Sequence, residues 1–289
     1  MSNVKEIHTR MKSIQDIMKI TNAMYLISSS KMKKARKSLL ATEPYFNKLI
    51  STINDILLHT PDMNQIYLAR WDDQPMIDPI RGYIIITADK GLAGAYNHNI
   101  LRLAEEELAK NTRYSLFVIG QVGRNYFMRK NIMVDVEFLL TAQKPTMYRA
   151  RQIADTILNL YQKGQLNEVY VIYTEMVTPM KSEAKLLRIL PLMKERFENT
   201  ECLGHCATFH PSPESVMDYL VPNYVKGLLF SVLVEAYSSE QFSRMTAMEA
   251  ATDSAREMLK SLDLLYNRAR QSAITQEISE IIGGAKGII

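Results

Sequence analysis

Both ends of this chain carry an apolar seam that repeats alternately every three and four residues, and no compact single-layer fold uses two such seams. The N-terminal one reads Val4, Ile7, Met11, Ile14, Met18, Thr21, Tyr25, Ser28, Met32, Ala35 and Leu39. Only Thr21 and Ser28 are plainly polar. A seam sustained over several heptads predicts a coiled-coil helix rather than an ordinary globular one. No glycine or proline interrupts it before Pro44, where a kink or break is expected. Continued to Leu58, such a helix is about 80 Å long. The C-terminal seam reads Met245, Met248, Thr252, Ala255, Leu259, Leu262, Tyr266, Ala269, Ala273 and Gln276. Pro211, Pro213 and Pro222 lie near its start, and Gly283–Gly284 near its end, which predicts helix from Ser215 to Ile282. Neither helix can bury its stripe alone. Pairing the two in an antiparallel coiled coil satisfies both, provided the intervening domain sits at one end of the pair.

The middle of the chain changes period. Gly82-Tyr-Ile-Ile-Ile-Thr87, Tyr114-Ser-Leu-Phe-Val-Ile119, Met133-Val-Asp-Val-Glu-Phe138 and Val169-Tyr-Val-Ile-Tyr173 are short β-branched or aromatic runs. Helical stretches at 96–110, 121–130 and 146–163 separate them. This alternation predicts an α/β sandwich, Rossmann-like, whose mostly parallel sheet gains a fifth strand at Leu186–Leu190. The expected division is a coiled-coil helix over 1–58, a linker over 59–77, a central domain over 78–210 and a second coiled-coil helix over 211–289. At 289 residues, 47% hydrophobic and 23% charged, the chain has the composition of a folded protein, so these periodicities can be read as structure. No apolar run is long enough to span a membrane. The basic, amphipathic start continues far past any usual cleavage point and is read as part of the working chain.

Few residues offer chemistry. The loop after the first central strand, Thr87-Ala-Asp-Lys-Gly-Leu-Ala-Gly-Ala-Tyr-Asn97, bears glycines but matches neither GxGxxG nor GxxxxGK[ST]. It reads as a strand-to-helix turn using glycine's backbone freedom, so no nucleotide cofactor is expected. Cys202, His205, Cys206 and His210 have suitable ligand atoms, but their spacing is unlike the usual zinc pairings, and they read as a loop with reduced thiols. There is no nucleophile elbow and no HExxH; no catalytic, cofactor-binding or metal-binding residue is assigned.

Charge and leftover hydrophobics point elsewhere. Between Lys5 and Lys37 the basic residues far outnumber Glu6 and Asp16, which calls for an acidic partner. A basic zipper on DNA would continue its basic block out of the zipper rather than carry it along the seam, so nucleic acid is not the expected partner. Beside the seam, Ile17, Ile20, Met24 and Ile27 form a second stripe that runs on into Lys31 and Lys34. A two-stranded coiled coil buries that flank poorly, so it predicts a further surface, apolar in one part and acidic in another. Ile274, Ile278, Ile281, Ile282, Ile288 and Ile289 repeat the clue at the C-terminus.

Three blocks resemble a known family. Ile20-Thr-Asn-Ala-Met-Tyr-Leu-Ile-Ser-Ser-Ser-Lys-Met-Lys-Lys-Ala-Arg36 is similar to the N-terminal signature of F-type ATP synthase γ subunits. Arg244-Met-Thr-Ala-Met-Glu-Ala-Ala-Thr-Asp253 and Ala269-Arg-Gln-Ser-Ala-Ile-Thr-Gln-Glu-Ile278, followed by Gly283-Gly-Ala285, resemble its C-terminal signature, and Thr87–Asn97 a central block. Ala93 and Ser254 depart from residues common in the family, and the cysteine insert of its chloroplast members is absent. The resemblance implies a non-catalytic rotor shaft that couples ion-driven rotation of the membrane c-ring to conformational change in the ring of α and β subunits. It implies ε as a further partner and a peripheral place on the cytoplasmic side of the cell membrane. By position in the motifs, Met24, Ile27, Lys31, Lys33, Lys34 and Arg36 would face an acidic lever loop of the β subunits. Arg244, Gln271 and Thr275 would meet catch regions of the ring.

Overall fold

The computed structural model describes residues 2–60, 63, 65–68, 78–135, 142–178, 181–193, 197, 209–210 and 212–286. In chain order the elements are α1 (Ser2–His59), β1 (Arg81–Ile86), α2 (Tyr96–Leu108), β2 (Tyr114–Ile119), α3 (Gln121–Arg129), α4 (Met147–Gln162), β3 (Glu168–Thr178), β4 (Lys181–Leu190) and α5 (Pro213–Lys286). They form two units, Met1–Ser29 with Arg244–Ile289, and Ser30–Ser243.

The first unit is a pair of helices. Its α1 seam from Val4 to Ser28 is buried or half-buried throughout, and the residues between are mostly exposed. On α5, Met248, Thr252, Ala255 and Leu262 are buried, and the seam stays half-covered to Ala273; Gln276, its last expected position, is exposed. Thr21 Oγ1 lies 2.7 Å from Thr252 Oγ1, and the His8 ring is 6.0 Å from that of Tyr266. Numbers rise along one helix as they fall along the other, so the pair is antiparallel. Thr21, one of the two polar residues of the N-terminal seam, meets a hydroxyl across the interface and also donates to the carbonyl of Met18 in its own helix.

The second unit is layered. Its sheet has strand order β2-β1-β3-β4, with β1 parallel to β2 and β3, and β4 antiparallel to β3. The expected run at Leu186–Leu190 is the second half of β4. Among the described residues the sheet has four strands rather than five. Met133–Asp135 is not strand, although Asp135 N reaches Leu116 O at 2.9 Å. The rest of that expected strand lies outside the described residues. Alternation along the strands feeds two cores. Ile84, Ile86, Phe117 and Ile119 face α4 and segments of α1 and α5, including Ile53, Ile56, Ile153, Ile157 and Val225. Tyr83, Ile85, Leu116 and Val118 face α2 and α3, including Ile100, Ala104 and Phe127. The helix α4 starts where Thr146 Oγ1 accepts the backbone N–H of Arg149.

Neither proline ends its helix: Pro44 lies inside α1 without breaking it, and Pro222 lies inside α5, within the helix expected from Ser215. Pro44 cannot bond the carbonyl of Leu40, but both residues are exposed, so water can take that bond, and burial of Phe46, Leu49 and Ile53 just beyond holds the helix.

Candidate partner-binding surface

The region outside the carboxyl ends of the parallel strands, where an open α/β sheet usually takes a ligand, is closed from within. The first N–H groups of α3, a natural phosphate cradle, all have protein acceptors. Gln121 N donates to Asp89 Oδ1 at 3.2 Å, Val122 N to the carbonyl of Ala88 at 3.1 Å, and Gly123 N to Thr87 Oγ1 at 3.0 Å. Asp89 thus places a carboxylate where a phosphate would go, and its second oxygen takes Gln143 N. Ala88 N donates to Asn97 Oδ1, tying the two ends of the loop together. Within it Gly94 has φ +53°, the left-handed turn glycine allows, whereas Gly91 does not need that freedom.

The far side of that region is covered by α5. Tyr96 OH donates to the carbonyl of Ala236 at 3.2 Å, and Met176 N donates to Glu235 Oε1 at 3.3 Å. Burial pushes the Glu235 carboxyl up from its ordinary value, with the Met176 N–H pulling the other way. The place a phosphate would take at the start of α3 is filled by the chain's own side chains. Among the described residues no group of three or more His, Cys, Asp or Glu could hold a metal; Cys202, His205 and Cys206 lie outside them, and His210 is exposed.

What the molecule leaves open is helix surface. In the helical unit, Ile17, Ile20 and Ile27 are exposed by 53%, 60% and 54%, which a solvated helix face does not explain, and Met24 beside them is half-buried. On α5 of the same unit Ile274, Ile278, Ile281 and Ile282 are exposed, as are Gln271 and Thr275; the Thr275 hydroxyl donates to the Gln271 carbonyl. Ile288 and Ile289 lie outside the described residues. Arg244 differs from the rest of the expected contact set: it is only 8% exposed and is already engaged within the chain. In the layered unit Lys31, Lys33, Lys34 and Arg36 of α1 are all exposed, on a helix that turns Ala35 inward.

Sequence reasoning missed part of this surface. Leu26, Met258, Leu264 and Leu265 are exposed by half or more. The signal was available, because all four are apolar residues that fall off the two seams. Arg244 could not be placed in the same way, since a cation one position before the seam residue Met245 reads as surface until its neighbours are known.

The family described as ATP synthase matches residues 3–288. A protein of Acetivibrio thermocellus called ATP synthase gamma chain is 46% identical over 296 residues, covering 100% of both chains. Two solved structures share the fold. A chain of the Tetrahymena thermophila mitochondrial ATP synthase central stalk and c-ring is 21% identical, with TM-score 0.57 over 80% of this chain and 99% of that one. A chain of the Euglena gracilis mitochondrial ATP synthase is 14% identical, with TM-score 0.65 over 99% of this chain and 95% of that one. With paired terminal helices, a closed α/β layer and full-length identity of this order, the chain belongs to the ATP synthase gamma chain family.

Proposed function

We propose that the chain is the central rotor shaft of an F-type ATP synthase, a non-catalytic subunit. It couples rotation of the membrane c-ring to the nucleotide sites of the surrounding ring of α and β subunits, with ε as a further partner. The observation that carries the reading is the unburied apolar face of a helix pair whose seam is already filled. Such a face in the family to which this chain belongs has a natural occupant, the inner wall of a ring. The Acetivibrio and Tetrahymena relatives, the second of them solved as a central stalk with its c-ring, support the same assignment. In this reading the helices over 1–58 and 211–289 form the coiled coil, 59–77 is a linker, and 78–210 is a Rossmann-like domain that binds no cofactor. No helix among the described residues is long and apolar enough to cross a membrane, and attachment to the cytoplasmic side of the cell membrane is through the complex.

The residues proposed to meet partners are Met24, Ile27, Lys31, Lys33, Lys34, Arg36, Arg244, Gln271 and Thr275. The lysines and Arg36 offer exposed positive charge to an acidic loop. Exposed pairs of this kind contribute about 1 kcal/mol or less each, and apolar contact is non-directional, so neither arrests a turning shaft. An asymmetric shaft contacts each β subunit differently and biases their conformations apart; rotation passes that bias from site to site. Arg244, being mostly covered, offers a partner only a small part of its surface.

Two measurements test the reading. A tagged full-length chain expressed in its own host co-purifies with α, β and ε subunits; recovery of the chain alone overturns the assignment. Met24→Lys adds a cation to the apolar bearing and is expected to leave assembly within about twofold while lowering ions pumped per ATP by roughly fivefold. Unchanged pumping per ATP removes Met24 from the contact set.

A further inference from the structure

Within the layered unit, α1 and α5 meet closely at a glycine of α5. A Cβ built on Gly227 would lie 1.3 Å from Phe46 Cε1, 2.1 Å from Cζ and 2.3 Å from Cδ1. The phenyl ring therefore occupies the volume that any side chain at position 227 would fill. A small cleft at the same place is lined by Phe46 and Ile50 of α1 and by Tyr224, Leu228 and Ser231 of α5. Residues 224, 227, 228 and 231 stand at i, i+3, i+4 and i+7, the four corners of a hole on a helix surface, and Phe46 is the knob seated in it. Phe46 is buried, and Gly227 sits in the interior of a helix of 74 residues, where glycine is intrinsically unfavourable.

We propose that Phe46 in the Gly227 notch is an axial lock, which holds α1 at one register along α5 while the shaft carries torque. The proposal rests on the rotor reading and adds to it the residues that keep the shaft from slipping. Ordinary apolar knobs do not do this well, because Leu, Ile and Met in neighbouring holes can be exchanged by a slide of one heptad. Here a slide of seven residues would bring Phe46 against Leu220 or Val234, and a slide of one turn would bring it against Asn223, Tyr224, Phe230 or Ser231. Each of these carries a Cβ and more in the space the ring needs. Only position 227 accepts it. The lock is mechanical rather than chemical, so it tolerates the alternating load of a turning shaft without any bond having to re-form.

The test separates register from fold. Cysteine pairs in the full chain, with Cys202 and Cys206 replaced by serine, trap either register: Thr42→Cys with Ser231→Cys for the native one, Thr42→Cys with Ser238→Cys for a one-heptad slip. In the unaltered lock the native pair cross-links and the slipped pair does not. With Phe46→Ala the slipped pair is expected to gain at least about fivefold in cross-linking yield. In the assembled complex Phe46→Ala is expected to keep ATP hydrolysis within about twofold and to lose at least roughly threefold in ions pumped per ATP. Exchanging knob and notch, Phe46→Ala with Gly227→Phe, is expected to recover both readouts. If Phe46→Ala fails to fold, Phe46→Leu keeps the core filled while shrinking the knob, and a smaller shift in the same direction is expected. Unchanged trapping and coupling in Phe46→Ala or Phe46→Leu, or failure of the exchange to recover them, overturns the lock. Failure of the rotor reading is seen separately, as an unaltered chain that does not co-purify with its ring.

Discussion

The two units of this chain are built from the same kinds of residue and reach different depths of burial. In the layered unit Ile53, Ile84, Ile100, Ile153 and Phe127 have essentially no exposed surface. In the helical unit the best-covered apolar residues, Met248, Ala255 and Leu262, keep 5–8%, and four isoleucines of its C-terminal helix stand exposed. A sheet covered on both faces gives a side chain neighbours in every direction. Two helices give it neighbours on one side only. The layered unit therefore supplies its own stability, whereas the helical one is finished as a structure only by something outside the chain.

That contrast can be broken by substitution. Ile153→Ala in the layered unit should cost about 2–5 kcal/mol in denaturant unfolding, because a closed core cannot collapse around the lost atoms. Leu262→Ala in the helical unit should cost at most about 2 kcal/mol, since an open seam relaxes and water refills it. Equal losses at the two sites would mean the helical unit has a core as tight as the other.

A smaller effect sharpens the comparison from the surface. Ile20→Ser should change the stability of the isolated chain by no more than about 0.5 kcal/mol, since the side chain it removes is mostly solvated. In sedimentation the same variant should reduce self-association of the isolated chain, and in cells it should lower recovery of the assembled complex. A large loss of stability in the isolated chain would show that Ile20 is covered from within.

The smallest effect is a pH dependence confined to the layered unit. The Glu235 carboxyl is held above its ordinary value by burial, so the folded state binds its proton more tightly than the unfolded state does. Stability from this group is therefore present below the ordinary glutamate range and declines as pH rises through the elevated value. Glu235→Gln keeps an acceptor for Met176 N and removes the buried charge. It should flatten that decline and leave the variant slightly more stable at pH 8 than the parent, as read by thermal unfolding across pH 4–8. A steeper decline in the variant would show that the carboxylate is favoured where it sits.

The seams were legible because helical periodicity is local: Val4 to Leu39 and Met245 to Ala273 declare a face whatever they meet. Exposure of Ile17, Ile20 and Ile27 followed from the same wheel, since one partner helix covers one stripe. The central strands were legible where β-branched runs are bounded by turns, as at Tyr83–Ile86 and Tyr114–Ile119. Met133–Asp135 was misjudged because alternation is necessary for a strand but a ladder needs a neighbour; Asp135 N bonds Leu116 O without the segment becoming strand, and Phe138 lies outside the described residues. No break falls at Pro44, since a long packed helix absorbs a proline that would end a short one.

The chain's order of residues determined, by itself, which faces are greasy, where the long helices and the β-branched strands run, and that a phosphate-binding signature is missing. Those are properties of near neighbours along the backbone. Only the tertiary structure decided that Thr21 finds Thr252, that Asp89 fills the cradle at α3, that Arg244 is covered, and that Phe46 lies where Gly227 has no side chain. Each of these joins residues far apart in the chain, and no local pattern records the partner a side chain meets after the chain has folded.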